Sequence, residues 1–166
     1  MKYETNILDF TLEDASINDA EKILELIYEI ADYEKLTDQV IATKESLIES
    51  IFVKKRAFVI LAKFKDEVIG YMLYFYNFST FTGGSNLYLE DLYLKPQYRH
   101  NGYGKMMFKI LAQIAIKEKA NRIDWVCLDW NKPSLKFYQS IGAKPLNNWV
   151  VHRLEGNDII NLANRD

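Results

Sequence analysis

Residues 86–105 read N-L-Y-L-E-D-L-Y-L-K-P-Q-Y-R-H-N-G-Y-G-K, and two kinds of chemistry are written into them. Glu90 and Asp91 are adjacent carboxylates inside a strand-like run, able to hold a cation or accept a proton. Adjacent strand residues face opposite ways, so one of the two at most faces a substrate. Downstream, Arg99, Gly102 and Gly104 form R-x-x-G-x-G, followed by Lys105. Glycines permit positive φ and close backbone approach. A loop that opens a helix offers unbonded N–H groups and the positive end of a dipole. Phosphate is the anion such a place takes, although the same pattern equally describes a plain strand-to-helix turn. The G-K-[ST] ending of a P-loop and the G-x-G-x-x-G of a dinucleotide fold are both missing. A third group, N-K-P-S-L-K-F-Y at residues 131–138, sets Asn131, Ser134 and Tyr138 around a short helix. Ser134 and Tyr138 share a helix face, where a tyrosine hydroxyl can face the anion.

The elements that must position these residues follow from periodicity. Residues 7–12 read as a first strand. A helix follows, capped by Asn18 or Asp19, with Ile23, Leu26, Ile27, Ile30 and Ala31 on one face. Residues 33–38 lose that period and read as a loop, and Thr43 caps a second, shorter helix. Residues 57–64 and 68–78 form a hairpin across Lys65, Asp66 and Glu67. After a glycine turn at 81–85, the strand 87–94 completes an antiparallel meander. The aromatic strand with Tyr71, Tyr74, Phe75, Tyr76 and Phe78 reads as core plus dimer surface. The second half alternates: helix 104–119, strand 123–128, helix 133–141 capped by Asn131 and ended by Gly142, and a last strand 149–154. The class is α/β, one domain over residues 1–166.

Composition narrows the function. A net charge of −2 supplies no basic surface for nucleic acid. One cysteine, Cys127, excludes an intrachain disulfide and a cysteine-built metal site. Cys127 reads as a buried strand residue rather than a nucleophile. His100 and His152 carry no metal-ligating neighbours, so no metal is expected. No signal peptide or membrane span is legible, and a reducing cytoplasm is the expected location.

R-x-x-G-x-G at residues 99–104 together with N-x-P-S-x-x-F-Y at 131–138 resembles the GCN5-related N-acetyltransferase (GNAT) superfamily, over nearly the whole chain. Y-E-K-L-T-D-Q-V at 33–40, Y-L-E-D-L-Y-L at 88–94 and L-D-W-N at 128–131 resemble the diamine acetyltransferases, both spermidine/spermine and thialysine types. The resemblance implies a mixed, mostly antiparallel central sheet flanked by helices, acetyl-CoA as cosubstrate, a small primary amine as acceptor, and a homodimer. It places the CoA arm along Leu92, Tyr93 and Leu94. The pyrophosphate falls on His100, Asn101, Gly102, Tyr103, Gly104 and Lys105, beside the charge of Arg99. Asn131, Lys132, Pro133 and Ser134 take the other side of the cofactor. Tyr138 matches the general acid. Tyr33, Glu34 and Glu90 match amine-binding positions, and Asp124, Trp125 and Val126 a further substrate-contacting segment.

An alkyl ammonium, with a pKa near 10.4, must lose a proton before it attacks a thioester. Glu90 is assigned that proton, directly or through water, in a direct transfer within a ternary complex. Two departures stand out. The family loop usually reads R-G-x-G-x-G, and His100 replaces its first glycine. Val150 stands nearest the position where the polyamine enzymes carry an acidic residue, which favours a shorter or lysine-like amine. Other acceptors (an aminoglycoside or a protein lysine) and a non-catalytic acetyl-CoA-binding module are the competing readings.

Overall fold

The computed structural model describes residues 1–165; Asp166, the last residue of the expected domain, lies outside the described residues. The hairpin at its centre turns on two residues, Lys65 and Asp66, both with positive φ (48° and 68°), as a tight two-residue connection requires. It joins strand β3 (Phe58–Phe64) to β4 (Glu67–Ser79), which folds back onto β5 (Gly84–Leu94). Two strands precede them, β1 (Lys2–Tyr3) and β2 (Phe10–Asp14). A short β6 (Ile123–Asp124) follows. The sheet order is β1-β2-β3-β4-β5-β6. The first five strands are antiparallel neighbours and β6 alone is parallel to β5.

The described residues divide into a unit holding the whole sheet, residues 1–126, and a second unit from Cys127 onward. In the first unit, helix α1 (Ala20–Glu34) buries Ile23 and Leu26 with Val59, Leu61, Tyr71 and Tyr93. Ladder partners place Leu61, Tyr71 and Tyr93 on one sheet face. Helix α3 (Tyr103–Lys117) takes the other face: Tyr103 stacks on Phe10 with ring centroids 4.2 Å apart. Phe10 lies opposite Phe64, on the side shared by Ala62, Gly70 and Leu94. Between them, α2 (Lys44–Leu47) starts at the expected cap: the Ser46 N–H donates to Thr43 Oγ1 at 3.2 Å. Asn86, fully buried, accepts from the Asn121 N–H at 3.1 Å and ties the turn after α3 to β5.

Several expectations need correction. Residues 7–9 are a turn rather than strand, because Asp9 takes a left-handed φ of 59° and Phe10 bonds back to Ile7. Tyr33 and Glu34, expected in a loop, are the last residues of α1, which ends when Lys35 turns left-handed at φ 63°. The strand expected over 123–128 pairs only at Ile123 and Asp124. Residues 149–154 carry strand-type side chains but no ladder; Trp149, Val150 and Val151 are each at least 73% exposed. β propensity is realised only against a neighbouring strand. The second unit contains α4 (Lys132–Ser140) and an unexpected helix, α5 (Asn157–Ala163).

At Gly70 the backbones of β4 and β5 approach closely. A Cβ there would stand 2.2 Å from the Tyr93 carbonyl oxygen and 2.9 Å from Leu94 Cδ2. At Gly142, φ is +89° and a Cβ would meet nothing within 4 Å. Gly70→Ala must therefore push β4 from β5 and should cost about 3 kcal/mol or more, whereas Gly142→Ala should cost only backbone strain of about 1 kcal/mol. Urea unfolding of both variants measures the contrast. Equal losses would contradict this packing.

Candidate active site

The middle of β5 carries one residue too many. Asp91 pairs with Leu73, but Leu89 pairs with the next residue, Tyr74, so Glu90 is the extra residue of a bulge. A bulge bends the strand and re-aims side chains. The strict alternation that set Glu90 and Asp91 on opposite faces therefore does not hold across this pair. By register, Tyr88, Asp91 and Tyr93 share the face that packs on α1. Glu90 is exposed at the bulge, and its charge still acts on the hydroxyls of Tyr88 and Tyr71.

An acidic focus results. The Tyr71 hydroxyl, buried, donates to Asp91 Oδ2 at 2.8 Å. Burial pushes the Tyr71 pKa well up, and the charges of Asp91, Glu34 and Glu90 push the same way. Asp91 is also raised: loss of solvation outweighs the hydrogen bond from Tyr71. Glu34, on the last turn of α1, is raised by burial and by Asp91. Three carboxyl groups thus bear on one phenol, and a small ammonium would relieve their mutual repulsion.

The far end of β5 leads into the loop. Pro96–Tyr98 make one 3-10 turn, and Asn101 Nδ2 donates to the carbonyls of Tyr98 and Arg99 at 3.3 and 3.1 Å. His100 holds a φ of +66° and Gly102 one of +82°. This explains the departure at His100: the position is left-handed, favoured by glycine and tolerated by histidine. The first bond of α3 runs from the Met106 N–H to the Gly102 carbonyl at 3.0 Å. The N–H groups of Tyr103, Gly104 and Lys105 precede that bond and point out of the helix end. His100, Asn101, Gly102 and Lys105 are exposed. A Cβ at Gly102 would meet only Ile7 Cδ1, at 3.9 Å. The loop therefore suits a phosphate-bearing group on backbone donors. The Tyr103 ring serves as the anchor beneath, stacked on Phe10.

Beyond Tyr88, β5 carries no ladder to β6, so the edge formed by Glu90, Leu92, Tyr93 and Leu94 is not paired by that strand. In the segment expected to contact substrate, Asp124 accepts from Arg122 Nε at 2.8 Å, and the Trp125 ring packs on Phe108 with centroids 5.2 Å apart. Val126 is exposed.

In the second unit, Asn131 caps α4 as expected, its Oδ1 accepting from the Ser134 N–H at 3.3 Å, with Pro133 in the first turn. Lys132 Nζ donates to the Asp129 carbonyl at 2.6 Å. The Tyr138 ring lies 5.7 Å from that of Phe137 and is half-buried. Cys127, expected in a buried strand, is half-buried and outside any strand.

Residues 19–143 match the family model of the acetyltransferase (GNAT) family. The chain belongs to this family. It is 34% identical to the thialysine N-epsilon-acetyltransferase of Bos taurus, over 93% of this chain and 97% of that one. Spermidine/spermine N(1)-acetyltransferase-like protein 1 of Homo sapiens is 29% identical over 96% of this chain, which spans 24% of that longer protein. Among solved structures, an integron cassette protein from the mobile metagenome of V.cholerae superposes with a TM-score of 0.79 at 26% identity, over 96% of this chain and 100% of the other. These likenesses make the chain an N-acetyltransferase acting on an amine, with the mixed, mostly antiparallel sheet of the GNAT fold.

For this GNAT chain, sequence reasoning missed the pairing of Tyr71 with Asp91. Its only trace was a tyrosine and an aspartate on neighbouring strands, and register is invisible without the bulge. The pairing has a measurable consequence. A folded-state carboxyl pKa above its unfolded value means that the native state binds more protons. Stability then falls as pH rises from the unfolded pKa through the folded one. Asp91→Asn keeps the acceptor and removes the buried charge, so at pH 7 it should be at least as stable as the parent and lose less stability from pH 4 to 7. Asp91→Ala leaves the Tyr71 hydroxyl without its partner and should lose about 1–3 kcal/mol. Chemical denaturation across that range checks both, and an Asn variant less stable than the Ala variant would refute the account.

Proposed function

We propose that this enzyme transfers an acetyl group from acetyl-CoA to the primary amine of a small lysine-like amino acid or short diamine, directly and within a ternary complex. The observation that carries this reading is the acidic focus of Glu34, Glu90 and Asp91 around Tyr71, with Glu90 and Asp91 on the strand that runs into the anion-suited start of α3. The thialysine name of a relative at 34% identity supports the lysine-like acceptor. So does Val150, which offers a long polyamine no charge where an acid would be wanted.

When bound, acetyl-CoA supplies the thioester that makes the acetyl group transferable. Backbone N–H groups over residues 100–105 would hold its pyrophosphate, next to the Arg99 expected there, whose side chain turns toward Tyr33. Leu92, Tyr93 and Leu94 would meet its arm, and Asn131, Lys132, Pro133 and Ser134 would hold it as well. Tyr33, Glu34 and Glu90 bind the amine, with the segment from Asp124 to Val126 beyond them. Glu90 accepts the ammonium proton, directly or through water, because only the neutral amine is a nucleophile. The Leu92 N–H donates to the oxyanion that forms on attack. The Tyr138 hydroxyl returns a proton to the departing thiolate. A phenol suits that task because its ordinary pKa of about 10 keeps it protonated at neutral pH.

The reading includes one domain over residues 1–166, a homodimer and a cytoplasmic setting. The single thiol supports the last. Exposed Leu146, Trp149, Val150, Val151 and Leu154 support a partner subunit, since a run of large apolar side chains marks an interaction surface. Among the described residues no helix is long and apolar enough to cross a membrane.

Incubation with acetyl-CoA and a panel of thialysine, lysine, ornithine, putrescine and spermidine, read by mass spectrometry, tests the substrate. Acetylated thialysine or lysine is expected in excess over spermidine, and tight acetyl-CoA binding with no acetylated amine would overturn the reading. Tyr138→Phe should lower kcat by about tenfold or more, and Glu90→Gln should shift the pH–rate profile upward. An unchanged rate or profile removes that residue from its role.

A further inference from the structure

Arg99 opens the anion-suited loop, yet its side chain is engaged on the other side of the sheet. Its Nε donates to the Leu94 carbonyl at 2.9 Å. Its guanidinium carbon lies 4.6 Å from the Tyr33 ring centroid and 5.7 Å from that of Tyr93. Tyr93 shares the sheet face of Tyr71, on which α1 packs, whereas α3 packs on the opposite face. Burial first, and then the charge of Glu29 on α1, push the Tyr93 pKa up to about 12, while the Arg99 charge acts in the opposite direction. One guanidinium therefore joins the end of β5, the first loop residue and the last turn of α1.

The arrangement needs the shape of arginine. A planar cation can lie on an aromatic face while one edge donates to a carbonyl, and an ammonium cannot do both. Tyr33 precedes Glu34, and Glu34 faces the Asp91 charge across the gap between α1 and β5. Whatever fixes Tyr33 also fixes the distance between these carboxyl groups. The Leu94 carbonyl, in turn, is the last of β5, so the loop and the helix end are held by the same side chain.

We propose that Arg99 is a positioning residue for the amine: through Tyr33 it holds Glu34 in place beside β5, and it couples the order of the cofactor loop to that of the amine site. This rests on the reading of Tyr33 and Glu34 as amine-binding residues. Its rival is direct service to the cofactor, in which the guanidinium reaches the pyrophosphate.

The two separate by where the loss falls. Arg99→Gln should raise the amine KM about five- to tenfold, the range expected when a desolvated cation–π contact is lost. The acetyl-CoA Kd, measured by calorimetry, should stay within about twofold. Arg99→Lys should not rescue the KM, because charge without the flat fork does not stack. Tyr33→Leu should reproduce the loss, Tyr33→Phe should lose less, and Arg99→Gln with Tyr33→Leu should be no worse than either alone. Hydrogen exchange of the acetyl-CoA-bound protein gives a readout apart from turnover: amides of residues 29–36 should exchange faster in Arg99→Gln than in the parent. A weakened acetyl-CoA Kd with unchanged amine KM would overturn the proposal, as would rescue by lysine or additive losses. Should Arg99→Gln fail to fold, the Leu and Phe variants at Tyr33 carry the comparison. If the parent acetylates no amine, the substrate reading fails on its own, and the exchange and affinity measurements still decide the role of Arg99.

Discussion

The ladder between β4 and β5 fixes how the carboxyl groups of β5 stand relative to Tyr71 and to the loop that follows the strand. At one end Gly70 lets the backbones of Tyr93 and Leu94 close in, where any larger residue would force the strands apart. In the middle, the pairing skips Glu90 and resumes at Asp91 opposite Leu73. That single extra residue puts two carboxyl groups into the same neighbourhood and still returns Tyr93 and Leu94 to correct register. From there the chain runs directly into the loop and α3. Acidic focus and anion-suited loop are thus two ends of one continuous segment, and their separation is set by strand geometry rather than by flexible side chains. β6 pairs only with Leu87 and Tyr88, so beyond that point β5 has no ladder to it.

Much of this was legible from residue types, for reasons that are local. R-x-x-G-x-G marks a loop because positive φ at Gly102 and an N-terminal helix turn are short-range requirements. Asn131 caps its helix by a bond three residues away, and the 65–66 turn needs nothing beyond its own two residues. The bulge was not legible, because it is a property of two strands and appears only when their registers are compared. The helical state of Tyr33 and Glu34 was hidden for a related reason. Their side chains break the apolar period of α1, yet the helix runs through Glu34 and ends where Lys35 turns left-handed, with the Tyr33 ring against Arg99, far along the chain. Residues 149–154 failed in the opposite way: their side chains favour a strand, but a strand needs an edge to join.

The acidic focus has an energetic cost that the fold bears without gain in stability. Asp91 and Glu34 both sit above the ordinary carboxylate range, with burial as the first cause. By linkage each destabilises the native state once ionised. A structure selected for stability alone would place an amide or an apolar residue there. Tyr71 supplies a partial remedy, since its donated bond favours the ionised form of Asp91. In the proposed reading, a bound ammonium would remove the remaining repulsion.

That attraction sets a limit on the chemistry. Carboxylates that attract an ammonium also stabilise its charged form, and so oppose the deprotonation that acetyl transfer requires. In the proposed reading the conflict is eased by geometry: Asp91 faces inward against Tyr71, while Glu90 stands at the exposed bulge with solvent at hand. The inner carboxyl can hold the positive charge as the amine arrives, and the outer one can pass the proton to water. A carboxyl whose pKa lies above its usual range is also a better proton acceptor than an exposed one. Glu34, raised by burial and by Asp91, stands between the two tasks. For Glu34 to serve both tasks the end of α1 has to be fixed, and the contact between Arg99 and Tyr33 lies one residue away from it.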